Sequence, residues 1–83
     1  MKHATREALA LLDDLLERIR AREGLKEKSA GVFYRKSRAF LHFHEDPTGL
    51  YADLRVGEEF ERYPVNTERE RRALLAEIDR ADT

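Results

Sequence analysis

Apolar residues recur at spacings of three and four early in the chain, at Leu9, Leu12, Leu16 and Ile19, with Ala8 and Leu15 beside them. This is a helical period, and Asp13, Asp14, Glu17, Arg18 and Arg20 fall on its polar flank. The spacing predicts one amphipathic helix from an N-cap at Thr5 to about Glu23, with Asp14 and Arg18 paired one turn apart. Gly24 reads as the left-handed residue that ends it, and Leu25 can fold back onto Ile19.

From Gly31 the period changes to two. Gly31 to Arg35 and Ala39 to Glu45 are aromatic-rich runs separated by Lys36-Ser37. Asp46-Pro47-Thr48-Gly49 is a turn, because Pro presets φ and Gly tolerates the last position. Leu50 to Val56 alternates apolar with polar, and Gly57-Glu58-Glu59 turns the chain into Phe60 to Tyr63. The pattern predicts three antiparallel strands in a meander, with a short fourth that Pro64 confines to an edge. Thr67-Glu68-Arg69-Glu70 is a capping box opening a last helix with Leu74, Leu75, Ile78 and Ala81 on one stripe. The expected fold class is α+β, a single two-layer domain over residues 1–83: helix, three- or four-stranded antiparallel meander, helix.

Register decides which residues share a face. If the turn after Asp46 closes a hairpin, Glu45 pairs Leu50, Phe43 opposes Ala52, Leu41 opposes Leu54 and Ala39 opposes Val56. These small or apolar residues form the face under the helices. A two-residue turn at Lys36-Ser37 adds Val32 and Tyr34 to them. The far face then carries Phe33, Arg35, Phe40, His42, His44, Tyr51, Asp53 and Arg55. An ordinary wet face would be mostly Lys, Glu and Thr, whereas aromatics and arginines are enriched where proteins meet partners.

Composition narrows the function. With 16 Lys+Arg against 17 Asp+Glu the formal charge is −1, which argues against a protein that lives on phosphate backbones. The basic residues of 30–44, Arg35, Lys36 and Arg38, are nevertheless unopposed by any acid. Their functional reading is weak nucleic-acid binding by a hairpin tip, and their plain reading is a solvated turn that discourages edge aggregation. Without cysteine there is no disulfide framework and no thiolate chemistry. The longest apolar run, Ala8 to Leu12, is far short of the roughly 20 residues that span a bilayer, and the N-terminus lacks a signal-peptide pattern, so a cytoplasmic location is expected. Four single glycines form no phosphate loop.

The sharpest local signal is His42-Phe43-His44. On a strand, His-x-His puts both imidazoles on one face, a spacing that can hold a divalent transition metal with Asp53 or Glu45 adding an oxygen. The bland reading is a histidine hydrogen-bonded to Asp53. The same pair could serve as an oriented base, but no nucleophile can be placed beside it.

The stretch Gly31 to Arg55 also carries a resemblance. It runs through Phe33-Tyr34, the basic turn Arg35-Lys36-Ser37-Arg38, Ala39-Phe40, the apolar strand, the Asp46–Gly49 hairpin and the Leu50/Leu54 spacing. It resembles an uncharacterised bacterial family and, more distantly, the small YdhG/YjbR-type domains, over residues 30–63. The resemblance implies an α+β domain of unassigned role and supplies no catalytic residue. His42-x-His44 is a departure from those domains, and this chain is shorter than they are.

These readings lead to three expectations. The first is a non-enzymatic homo-oligomer, a dimer in the simplest case, or a partner-binding domain that uses the aromatic, histidine and arginine face. Phe40→Glu should then disperse the oligomer with the helices intact. The second is a small metal- or anion-binding protein, with or without catalysis, using His42, His44 and Asp53 near Arg35 and Arg55. The third is nucleic-acid binding through Arg35, Lys36 and Arg38. No cofactor or small ligand is identified by the sequence.

Overall fold

The computed structural model describes residues 2–81. The order is β1 (Lys2–His3), α1 (Arg6–Leu11), α2 (Asp13–Arg20), β2 (Lys26–Ser29), β3 (Val32–Arg35), β4 (Arg38–Asp46), β5 (Gly49–Val56), β6 (Glu59–Pro64) and α3 (Glu68–Ala81). The sheet is an antiparallel meander, β2-β3-β4-β5-β6, and the two residues of β1 pair the far end of β4 beyond the reach of β3. The α+β class and the antiparallel meander are as expected. No described helix is long and apolar enough to cross a membrane.

The helices cover one face. Leu12, Leu15, Leu16 and Ile19 join Leu74, Leu75 and Ile78 in a single core with Leu41, Phe43, Ala52 and Leu54 of the sheet. Arg18 reaches Glu68 at 2.9 Å and Arg22 reaches Asp79 at 2.7 Å, which ties α2 to α3 side by side over that face. The β4–β5 register is the expected one where Glu45 pairs Leu50, Phe43 pairs Ala52 and Leu41 pairs Leu54, but the pairing ends there, short of the expected Ala39–Val56 pair, and Val56 is exposed.

The N-terminal segment is not one helix. Thr5 Oγ1 accepts from the Ala8 amide as the expected N-cap, but Leu12 leaves the helical region (φ −101°, ψ 12°) and separates α1 from α2. Leu12 is fully buried, so the apolar period runs through the break unaltered. The local mark of the break is Asp13-Asp14, acids in the first turn of α2, where the helix dipole favours them. The second helix also ends earlier than expected, at Arg20. At the C-terminal helix the capping box is present, Glu70 N donating to Thr67 Oγ1 and Thr67 N to Glu70 Oε1, both at 3.1 Å.

A larger correction concerns β3. Lys36 and Ser37 both take positive φ (50° and 70°), the two-residue turn matched to sheet twist, and Arg35 pairs Arg38 as that turn requires. The register then slips: Tyr34 pairs Ala39, yet Phe33 pairs Leu41. Phe40 is the extra residue of a β-bulge, and a one-residue slip exchanges the faces beyond it. Phe33, expected on the far face, therefore lies under the helices at 1% exposure, and Phe40 joins the same core at 5%. Arg35 likewise serves the helix side, donating from Nη1 to the Ala81 carbonyl at 2.9 Å.

Candidate metal centre on the open face

The face away from the helices is built by β4, β5 and β6. Period-two alternation puts His42 and His44 on it from β4, and Tyr51, Asp53 and Arg55 from β5. His42 pairs Asp53 and His44 pairs Tyr51, as expected. Five of the eight residues assigned to this face are thus brought together, and Phe33, Phe40 and Arg35 are not among them.

Three residues that the sequence did not assign to this face join it. Val56 pairs Glu59, so the β5–β6 turn is Gly57-Glu58, one residue shorter than expected, and Arg62 comes opposite Asp53 with Phe60 opposite Arg55. Arg62 grips Asp53 with both ends of its fork, Nε to Oδ1 at 2.8 Å and Nη2 to Oδ2 at 3.0 Å. Phe60 lies 4.9 Å from the His42 ring and carries the Arg55 guanidinium 4.6 Å above its own ring. Arg55 also donates from Nε to the Ala39 carbonyl at 2.7 Å. His3, set opposite His44 by β1, brings a third imidazole within 6.2 Å of the His44 ring. The Tyr51 hydroxyl lies 2.7 Å from Thr48 Oγ1 at the hairpin end.

At the centre, His44 Nε2 lies 2.9 Å from His42 Nδ1 and 3.0 Å from Asp53 Oδ2. One ligand atom from each of the three side chains lies within 4.8 Å of the other two. Asp53 is buried at 7% exposure although no helix covers it. Its carboxyl is held below the usual carboxylate range, first by the Arg62 hydrogen bonds, with burial opposing. His42 is pushed below its ordinary value, first by burial and then by the charge His44 would carry. Neutral imidazole and ionised carboxylate are the forms that bind metal.

Ring nitrogens have limited proton supply, and this triad exposes the limit. A proton on His44 Nε2 must be shared between His42 Nδ1 and Asp53. A proton on His42 Nδ1 satisfies His44 but leaves Nε2 facing Asp53 Oδ2, lone pair to lone pair. A cation can take the place of that proton, but ligands on one ion with bonds of about 2.1 Å sit at most about 4.2 Å apart, so the group, spread over 4.8 Å, must draw together to share it. The two short spacings match neighbouring ligands on a six-coordinate ion with bonds of about 2.1 Å, which sit about 3.0 Å apart.

No protein-family model, curated protein or solved structure matches the chain.

Proposed function

We propose that the protein binds a divalent transition-metal ion on the open face of its sheet, with His42, His44 and Asp53 as ligands. The gathering of one ligand atom from each of the three side chains within 4.8 Å of the others is the observation that carries this reading. Burial at Asp53 and the packing of His42 against Phe60 hold two of the ligands in place before any ion arrives, which reduces the ordering cost of binding. Two imidazoles and one carboxylate leave further positions to water, so the bound ion would be exchangeable and open to a second molecule.

Arg62 limits the affinity. Its fork orients the Asp53 carboxylate as an outer partner does, but it also cancels the only negative charge among the ligands. Self-association through this face loses most of its motive, since Phe33 and Phe40, two of the three aromatics that suggested it, are under the helices.

Calorimetric titration of untagged protein with zinc, nickel and manganese chlorides tests the proposal. One ion per chain is expected, zinc and nickel binding more tightly than manganese. His44→Ala removes the atom shared by both short contacts and should weaken zinc binding by about tenfold or more. Arg62→Gln should strengthen it. No heat with any of the three metals, or an unchanged affinity in His44→Ala, overturns the reading.

A further inference from the structure

We infer that a second site, remote in chemistry from the first, binds a small phosphate monoester. It is a cleft of about 220 Å³ lined by Arg35, Lys36, Arg38, Phe40, Arg55, Gly57 and Ala81. It lies where the β3–β4 turn, the β5–β6 turn and the C-terminal end of α3 meet. Of its seven described lining residues four are cations and none is an acid.

Placement sets this cluster apart. Arg18, Arg20, Arg22, Arg62, Arg72 and Arg80 each face a carboxylate within 3.0 Å. Among the described residues, Lys36, Arg38 and Arg55 pair with no carboxylate. Among the same residues Arg6, Lys26, Lys28, Arg69 and Arg71 also pair with no carboxylate, but none of them lines the cleft. In a chain of net charge −1, four cations around one concavity whose described lining holds no acid make a local positive potential that an anion would neutralise. The positive φ of Lys36 and Ser37 bends β3 into β4 tightly enough to bring Arg35 and Arg38 onto adjacent positions of the rim.

Among the described residues, the C-terminal end of α3 opposes an anion through the partial negative charge of its last carbonyls. Arg35 meets it directly by donating to the Ala81 carbonyl. Arg55 spends Nε on the Ala39 carbonyl, which fixes the plane of its guanidinium and leaves both Nη groups for a ligand. Planar guanidinium forks favour the paired oxygens of phosphate. Phe40, with Arg35 stacked 5.6 Å from its ring, adds an apolar wall that a bare ion would not use. The volume falls below the roughly 300–1,000 Å³ of pockets for drug-sized ligands, so the occupant is a small monoester with a short apolar or planar group.

Phenyl phosphate is the probe, titrated calorimetrically at low ionic strength beside inorganic phosphate and an oligothymidylate. Phenyl phosphate should saturate one site per chain and bind more tightly than inorganic phosphate. Arg38→Gln, at an exposed position where folding is not at stake, should weaken it by about tenfold, and Arg22→Gln on the helix layer should leave it unchanged. Three results overturn the assignment. They are no saturation below roughly 10 mM, equal affinity in Arg38→Gln and the unaltered protein, and tighter binding of oligothymidylate than of phenyl phosphate. The last would make the basic turn a nucleic-acid contact instead.

Discussion

The two faces of this sheet are made by the same alternation but stabilised by different means. Under the helices, Leu41, Phe43, Ala52 and Leu54 are fully buried among leucines, so each contributes through area removed from water. On the open face the next residues along the same strands are His42, His44, Asp53 and Arg55. There Asp53 is buried without any covering layer, by the ring and guanidinium atoms of its cross-strand neighbours. A core tolerates no unpaired charge, whereas an open face can bury one if its neighbours supply the hydrogen bonds. Ionised groups can therefore be held at the centre of the open face, whereas the packed core beneath the helices has no partners for them.

The comparison is broken most severely by placing a charge on the covered side. Phe33→Glu buries a carboxylate with no cation provided for it, and circular dichroism should show loss of the folded state, while Phe40→Glu, beside the Arg35 guanidinium, should weaken folding less. Retention of helix with only a change in solution mass would return both rings to an exposed face. Phe43→Ala, a truncation without charge, should cost about 3–5 kcal/mol in urea denaturation.

Changes in the polar network should cost less. Asp53→Asn keeps the volume but removes the carboxylate held by Arg62 and His44. A loss of about 1–3 kcal/mol is expected in the same measurement, because Arg62 can turn into solvent while His44 loses its partner. Acid acts on the same network in two stages. Since the folded protein holds His42 below its ordinary value, the unfolded chain takes up the proton first, and stability falls as pH drops below about 6.5. Asp53, also held low, adds stability that is complete above about pH 4 and lost below it. In urea titrations across pH, His42→Gln should remove its share of the first decline, at most about 1.4 kcal/mol per pH unit, and leave the second. An identical pH profile in His42→Gln would show that His42 is not held neutral by the fold.

How much of this is legible in the sequence depends on where the chain turns. The Asp46–Gly49 hairpin declares itself through Pro47 and Gly49, and with it come the β4–β5 register and the His42–Asp53 pairing. The bulge at Phe40 carries no such mark, because an extra aromatic in an aromatic run looks like continued alternation, and that alternation puts Phe33 on the wrong face. Arg62 escapes for a related reason: a turn of Gly57-Glu58 puts it opposite Asp53, and one more turn residue puts it on the other face. β2 is invisible because Lys26-Glu27-Lys28-Ser29 has no apolar alternation, as suits a strand at a sheet edge. The break at Leu12 hides inside an intact helical period, although Asp13 and Asp14 suggest a new first turn. At Phe33 and Arg62, one inserted or removed residue moves a side chain across the sheet, and composition is blind to that.

The smallest expected effect is also the most direct test of the contrast between faces. Phe60 and Phe43 are the same residue on adjoining regions of one sheet, but Phe60 is 38% exposed on edge strand β6 and Phe43 is fully buried. Phe60→Ala removes a ring that packs on His42 and under Arg55 without leaving a cavity, because the site already opens to water. Its cost in urea denaturation should be about 1 kcal/mol or less, against about 3–5 kcal/mol for Phe43→Ala. The ring also desolvates His42, so Phe60→Ala should bring the His42 titration, followed by NMR, back up toward its ordinary value, opposite to what added burial would do. A cost as large as that of Phe43→Ala would mean that the open face has a core of its own. In that case the His42, His44 and Asp53 group would be a stabilising network, and its convergence would need no ion.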